Sequence, residues 1–322
     1  MAYSSIEKLN KIEKIVCENL MVASINASTT EKEFLKIAEN YRTDMPNMVG
    51  ILREYKELIV KLKKKKISVR EKWMNIIVTG AKGFIGSHLV KALKQKKHNV
   101  IEWDSKNDSK RKNVKNFYVD DAEYVIHLAA YANVRKSLED PQSYWRNNVE
   151  NTKYIQDICN VSDIPLLYAS SSCIHQWWLS PYGTTKKVNE ITAHAKQTAL
   201  RFTTVYGEGA RDNMFMSKIF NHSLEYATTH LRDFIHISDV VSAILLLMRH
   251  TSILKPAYDI GTGVNNPVNE LAELAGYDNL PVLTGDACEA KDNTANITDL
   301  KDMGWEPKVS VDQYIINKII AY

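Results

Sequence analysis

Tyr182 and Lys186 stand four residues apart in Ser180-Pro181-Tyr182-Gly183-Thr184-Thr185-Lys186. On a helix, side chains at that spacing share one face. An ammonium beside a phenol favours the phenolate and lowers its pKa from ~10. A phenolate so held can take a proton from a substrate hydroxyl while hydride leaves the carbon. The pair alone is common by chance. It gains weight from Ser170, Ser171 and Ser172, which end an apolar run shortly before it. A serine hydroxyl there can hydrogen-bond the same substrate oxygen.

A hydride needs an acceptor, and a second motif supplies a place for one. Gly80, Gly83 and Gly86 follow the apolar run 75–79 in the spacing G-x-x-G-x-x-G, and a helical pattern begins at 87–93. Gly80 lets the chain turn off a strand, Gly83 lets a pyrophosphate approach the backbone, and Gly86 lets helix and strand pack closely. The helix N-terminus points N–H groups and a partial positive charge at the phosphates. Asp104 ends the next apolar run, 99–103. A carboxylate there accepts both ribose hydroxyls of an adenosine and repels a 2′-phosphate, which outweighs Lys82 and favours NAD over NADP.

These motifs need strands to end at them. Further apolar runs at 124–130, 166–171 and 198–205 alternate with helical patterns at 143–160 and 186–196. That alternation predicts a Rossmann-type doubly wound parallel sheet, with ligands at the strand C-termini. Fewer than twenty residues separate Asp104 from the strand at 124, so the sheet edge is trimmed. From 206 onward the pieces are shorter, with helices at 237–249 and 268–275, and read as a smaller substrate cap. Residues 1–72 read as a helical extension of two or three helices, 67–73 as a linker, about 73–205 as the dinucleotide-binding core, and 206–322 as mainly cap. No internal repeat or low-complexity segment is visible.

Composition narrows the function classes. No apolar run reaches the ~18–20 residues that span a bilayer, and no secretory h-region is visible at the N-terminus. A cytoplasmic protein without a membrane partner is expected. Cys17, Cys159, Cys173 and Cys288 lack metal-ligand spacing, so neither a metal nor a disulfide framework is expected. Residues 1–72 carry 15 Lys/Arg against 10 Asp/Glu, whereas the remainder carries 27 against 28. The basic excess therefore belongs to the extension. Its densest part, lysines 63–66, has no interleaved aromatics and reads as a solvated helix end rather than a nucleic-acid site.

Glycine turn, strand-end serine and Tyr-x-x-x-Lys together resemble the extended short-chain dehydrogenase/reductase family, in its nucleotide-sugar epimerase/dehydratase branch. His127-Leu128-Ala129-Ala130, Asn147-Asn148-Val149, Val205-Tyr206-Gly207, Arg232-Asp233-Phe234-Ile235-His236 and Gly304-Trp305-Glu306-Pro307 add ordered matches across roughly 74–320. The resemblance implies NAD as cofactor, a nucleotide-sugar substrate and a homodimer. It implies Tyr182 as catalytic base, Lys186 as its partner and as holder of the nicotinamide ribose, and Ser171 as catalytic serine, with Ser172 one position off. Gly80, Gly83, Phe84, Ile85 and Gly86 would line the pyrophosphate. Asp104 would bind the adenosine ribose, and Leu128, Ala129, Ala130 and Asn147 would lie along the cofactor. Arg232 would pair with the substrate diphosphate, and Thr204 would make the substrate contact that asparagine often makes.

Departures from the branch select among its activities. The 4,6-dehydratases place Asp-Glu where this chain has Ser172-Cys173, which argues against dehydration. Ser-Ser-Cys-Ile resembles the GDP-sugar 3,5-epimerases and GDP-fucose synthase, but Met214 and Phe215 stand where the latter's histidine would follow Asp212-Asn213. Cys173 therefore reads as a small packed residue. The segment from Ser171 to Tyr182 is short for the branch and holds Trp177 and Trp178, and Asp286 stands where many relatives carry a diphosphate-binding arginine. The expectation is an NAD-dependent nucleotide-sugar 4-epimerase. Its rivals are a nucleotide keto-sugar reductase or 3,5-epimerase/reductase, and a dinucleotide-binding scaffold without turnover.

Overall fold

The structure, a computed structural model, describes residues 73–106, 114–250 and 254–321. The readings of the 1–72 extension lie outside the described residues. β1 (Asn75–Thr79) passes through the glycine turn into α1 (Phe84–Gln95), and β2 (Asn99–Trp103) returns beside it. Next come β3 (Tyr124–His127), α2 (Val134–Glu139), α3 (Pro141–Trp145) and α4 (Asn151–Val161), with a π-helical turn at Arg146–Glu150 before α4. β4 (Leu166–Ser171) leads through a 3₁₀ stretch, Ser172–Leu179, to α5 (Pro181–Ile191) and β5 (Gln197–Phe202).

The second half holds β6 (Thr204–Tyr206), α6 (Phe215–Phe220), β7 (Ala227–Thr228), β8 (Leu231–Arg232), β9 (Phe234–His236) and α7 (Ile237–Met248). It continues through β10 (Ala257–Ile260), β11 (Asn266–Pro267), α8 (Val268–Leu274), β12 (Val282–Leu283), α9 (Thr298–Asp302) and α10 (Val311–Ile320).

The main sheet is six-stranded and parallel throughout, in the order β10-β5-β4-β3-β1-β2. Among the described residues β2 is an edge strand, as the short connection to β3 predicts. Both faces are covered, which is why β1 and β3 read as continuous apolar runs. Ile76, Val78 and Ile126 pack with Leu89 and Leu93 of α1 and Val240, Ile244 and Leu247 of α7. Ile77 and Val125 face Ile155 and Cys159 of α4 on the other side. Each such fully buried side chain contributes ~1.5–3 kcal/mol relative to exposure. The cap has its own cluster around Met216, Ile219, Phe234, Leu271 and Ile315.

Boundaries differ from the sequence expectation where tertiary contacts intervene. β3 stops at His127 rather than 130, because Leu128 onward leaves the ladder to run past Gly80. The strand expected over 198–205 is two: after Phe202 the chain leaves the main sheet, and β6 pairs with β9. β10 comes from the stretch read as cap yet closes the main sheet against β5. The helix expected over 186–196 spans Pro181–Ile191 instead, because Ser180 caps it and Pro181 occupies its first turn.

Candidate active site

α5 carries the proton chemistry. The Ser180 side chain accepts from Gly183 N at 3.1 Å, so the helix starts just before Tyr182. Tyr182 then lies in the first turn and Lys186 one turn on, with the Lys186 Nζ 5.7 Å from the tyrosine ring centroid. Both are buried. Lys186 Nζ donates to Ala169 O at 2.8 Å, which ties the helix to the end of β4. Ser171, the last residue of β4, lies near enough to the Tyr182 phenol for its hydroxyl to pull the phenol's pKa down. Ser172 turns elsewhere: its Oγ accepts from Asn293 Nδ2 at 3.4 Å. The geometry therefore brings Ser171, Tyr182 and Lys186 together and leaves the fallback serine outside.

The expected depression of the tyrosine pKa is not present. Burial pushes the Tyr182 phenol well up, more than the Ser171 hydroxyl and the nearby Arg211 charge pull it down. Lys186 spends its hydrogen bond on Ala169 O, not on the phenol oxygen. The same burial lowers the Lys186 ammonium to about 8. The proton that this pair gives up most readily is thus on the lysine side, and the phenolate–ammonium form has the same proton count as the phenol–amine form.

A network on α5 fixes its register against the sheet. Ser170 Oγ donates to Glu190 Oε1 at 2.6 Å, while Arg201 donates from Nε to Glu190 Oε1 at 3.0 Å and from Nη2 to Oε2 at 2.6 Å. Asn148, fully buried, clasps the backbone of Tyr131 through both N–H and C=O and donates to Thr185 Oγ1 at 3.3 Å. Asn147, the residue singled out from sequence, donates to Asn148 Oδ1 at 2.9 Å. The Asn147-Asn148 pair was visible in the sequence; which member faces inward was not.

The glycine turn makes a close cradle. Gly80 has φ +66°, and a Cβ there would fall 2.7 Å from Ala129 N. A Cβ on Gly86 would fall 2.1 Å from Gly80 O. Gly83 caps α1 without a side chain, and no acidic residue sits in the first turn, so no side-chain cap competes at Phe84, Ile85 and Gly86. Asp104 accepts from Lys82 N and Lys106 N at 2.9 Å each, which holds its carboxylate at the rim of the turn. His127 secures the opposite wall. It is buried between Thr79 Oγ1 at 2.6 Å and Thr152 Oγ1 at 3.0 Å, and Ala129 N donates to the same Thr79 oxygen at 3.3 Å. Burial and the Lys186 charge lower His127 to about 3, so it stays neutral. An uncapped helix N-terminus, a backbone cradle that excludes any Cβ and a rim carboxylate fit an adenine dinucleotide.

The cap contributes the remaining groups. Thr204 Oγ1 accepts from Asn293 Nδ2 at 3.2 Å, and Arg232 pairs with Glu289 at 3.1 Å. Asp286, which stands where many relatives carry an arginine, is paired with Arg135. Arg211 Nη2 donates to Ala132 O at 3.2 Å and its charge reaches Tyr182. Arg135, Arg211 and Asn293 were not singled out from sequence, since nothing local marks them. Cys173, read as packing, belongs to none of the apolar clusters. Its backbone N–H donates to Ser171 Oγ at 3.2 Å, and burial pushes its thiol pKa up. Among the described residues no helix is long and apolar enough to cross a membrane, and no group of three or more His, Cys, Asp or Glu is placed to hold a metal ion.

Comparison with known proteins agrees with this geometry. The family model described as "NAD dependent epimerase/dehydratase family" matches residues 76–261. Protein CapI of Staphylococcus aureus is 30% identical over 331 aligned positions, covering 77% of this chain and 98% of that one. MoeE5, solved with UDP-glucuronic acid and NAD, superposes with a TM-score of 0.65 at 29% identity, covering 76% of this chain and 98% of its own. The UDP-glucose 4-epimerase of Thermotoga maritima, solved with UDP-glucose, gives a TM-score of 0.60 at 27% identity over 77% of this chain and 98% of its own. With the cradle, the Ser171–Tyr182–Lys186 cluster and these matches together, the chain belongs to the NAD-dependent epimerase/dehydratase family, the nucleotide-sugar branch of the extended short-chain dehydrogenase/reductases.

Proposed function

We propose that this protein is an NAD-dependent nucleotide-sugar 4-epimerase. The observation that carries the reading is the convergence of Ser171, Tyr182 and Lys186 beside the glycine cradle. Bound NAD would supply the hydride acceptor and donor at C4 of the sugar. Gly80, Gly83, Phe84, Ile85, Gly86, Asp104, Leu128, Ala129, Ala130, Asn147 and Lys186 are the residues assigned to hold it.

Tyr182 takes the C4 hydroxyl proton and returns it after the sugar has turned over in the pocket. Ser171 holds the phenol oxygen and the substrate oxygen in one hydrogen-bonded line. The positive charges of Lys186 and Arg211 favour the phenolate once the hydroxyl proton is in transit. Burial of the pair excludes water, so the proton has nowhere else to go. Thr204 and Arg232 are assigned to the substrate, and a dimer in the cytoplasm is the proposed working form. UDP-hexoses and UDP-hexuronates are the first substrates to test, because solved relatives hold UDP-glucose and UDP-glucuronic acid.

A second reading, a keto-sugar reductase or 3,5-epimerase/reductase, is favoured by Cys173, which lies beside Ser171 and whose electrostatics reach Tyr182 and Lys186. One experiment separates them. The purified protein is denatured to identify released ligand by mass, and the native protein is incubated with UDP-, GDP-, dTDP- and CDP-sugars. Retained NAD with sugar interconversion and no net redox change supports the epimerase. Net NAD(P)H consumption that Cys173→Ser abolishes supports the reductase. Bound dinucleotide with every sugar untouched sinks both and leaves a scaffold.

A further inference from the structure

The stretch 207–213, between β6 and α6, carries no helix or strand, and most of it is exposed. Its own backbone bonds are local, from Ala210 N to Gly207 O at 3.2 Å and from Met214 N to Arg211 O at 3.0 Å. Among the described residues, two long-range hydrogen bonds hold it. His88 Nε2 of α1 donates to Glu208 O at 2.8 Å. Arg211 Nη2 donates to Ala132 O at 3.2 Å. Between these anchors lies Gly209, where a Cβ would fall 3.9 Å from both His88 Nε2 and Phe84 Cδ2.

The two anchors stand on opposite walls of the dinucleotide cradle. One wall is the glycine turn with the first turns of α1, which include Phe84 and His88. The other is the chain that leaves β3, from Leu128 to Ala132. The walls meet at the floor of the cradle, where Gly80 abuts Ala129. A segment tied to both walls bridges the groove between them. His88 is itself held edge-on by Phe84, with 5.9 Å between ring centroids. Gly207 at the root of the bridge has φ +134° and Gly209 has φ +82°. Glycine backbone reorients at little steric cost.

A cofactor seated in a bridged groove leaves only when one latch lets go. An epimerase needs that delay. Hydride removed from C4 must return to the same sugar, and cofactor lost between the two transfers leaves a keto-sugar behind. The same segment carries Arg211, whose charge is felt at Tyr182. Fastening it therefore also brings that charge to the catalytic cluster.

We propose that residues 207–213 form a strap across the cofactor groove, latched by His88 on one wall and by Arg211 on the other, which retains NAD between the two hydride transfers. The inference rests on the NAD-dependent epimerase reading above.

The test loads the full-length protein with NAD and follows its replacement by excess fluorescent etheno-NAD, with no sugar present. His88→Ala is expected to speed replacement about tenfold, ~1.4 kcal/mol off the release barrier. His88→Gln, which keeps a donor, should restore much of the delay, and Arg211→Gln should speed release from the other latch. Amide hydrogen exchange of the NAD-loaded protein should quicken over 208–213 in His88→Ala and hold in β6 and β9. Melting temperature reports whether each variant is folded. Unchanged replacement in both His88→Ala and Arg211→Gln overturns the strap. Faster replacement with amides 208–213 unmoved makes His88 a plain contact of the cofactor and overturns it as well. Faster release from His88→Ala with no sugar interconverted would sink the reaction and leave the strap, whereas interconversion with indifferent latches would do the reverse. A protein that binds no dinucleotide overturns both.

Discussion

The cradle at the end of β1 and the arginine cluster of the cap are built in opposite ways. The cradle is backbone. Gly80 and Gly86 leave no room for a Cβ, and the cap of α1 offers N–H groups with no side chain competing for them. The cluster is side chain: Arg135, Arg232, Asp286 and Glu289 satisfy one another across long sequence separations. A backbone cradle costs no reorganisation when an anion arrives, whereas a paired cluster must exchange partners first. The first suits a cofactor that stays, and the second suits a substrate that comes and goes. α5, with Tyr182 and Lys186, carries the proton chemistry that both must serve.

The comparison can be broken most severely at its midpoint. Tyr182→Phe should lower turnover by ~10²–10⁴-fold, as for loss of a positioned acid–base group, while NAD retention and diphosphate affinity hold. A parallel loss of bound NAD, read by absorbance of the released ligand, would show that the two regions are not separable. Arg201→Met comes next. It strands Glu190 beside Ser170 without its cation, and should cost about 2–3 kcal/mol in a denaturant melt, below the ~3–5 of a fully buried pair. Turnover should fall with it, since α5 loses its tether to β5. Gly86→Ala places a methyl where Gly80 O already sits. Overpacking of this kind costs ~1–3 kcal/mol, and NAD retention should drop before diphosphate affinity does.

The smallest effect is in pH. Burial lowers the Lys186 ammonium to about 8, below its ordinary value. The pair must lose one proton to reach the phenolate–ammonium form. The rate constant kcat/KM should therefore rise with pH and level off through an apparent pKa at or below about 8. Lys186→Met should move that limb to higher pH, toward the raised pKa of the Tyr182 phenol itself. A profile that falls over the same interval would mean that the protonated phenol is the working form.

Much of the cradle was legible because its parts are local. A strand, three glycines, a helix and an acidic residue lie within 75–104, and each has a physical reason for its place. The catalytic pair was legible for the same reason, being one helical turn long. Even the earlier start of α5 was written in Ser180-Pro181, a cap and a first-turn proline. The inward asparagine was harder. Asn147 and Asn148 are neighbours of the same type, and only the clasp on Tyr131 and the bond to Thr185 distinguish them. Cys173 was judged by the absence of a partner base nearby in sequence, whereas its surroundings are set by Ser171 and α5.

By itself, then, the sequence determined the parallel sheet, the dinucleotide turn and the Tyr182–Lys186 pair, because periodicity, glycine spacing and helical pitch act over a few residues. Tertiary structure alone decided that Ser171 and not Ser172 meets the phenol. It also decided that burial raises Tyr182 while lowering Lys186, and that Arg135 answers Asp286. Those outcomes depend on desolvation and on charges brought together by packing, and neither is a property of any short stretch of chain.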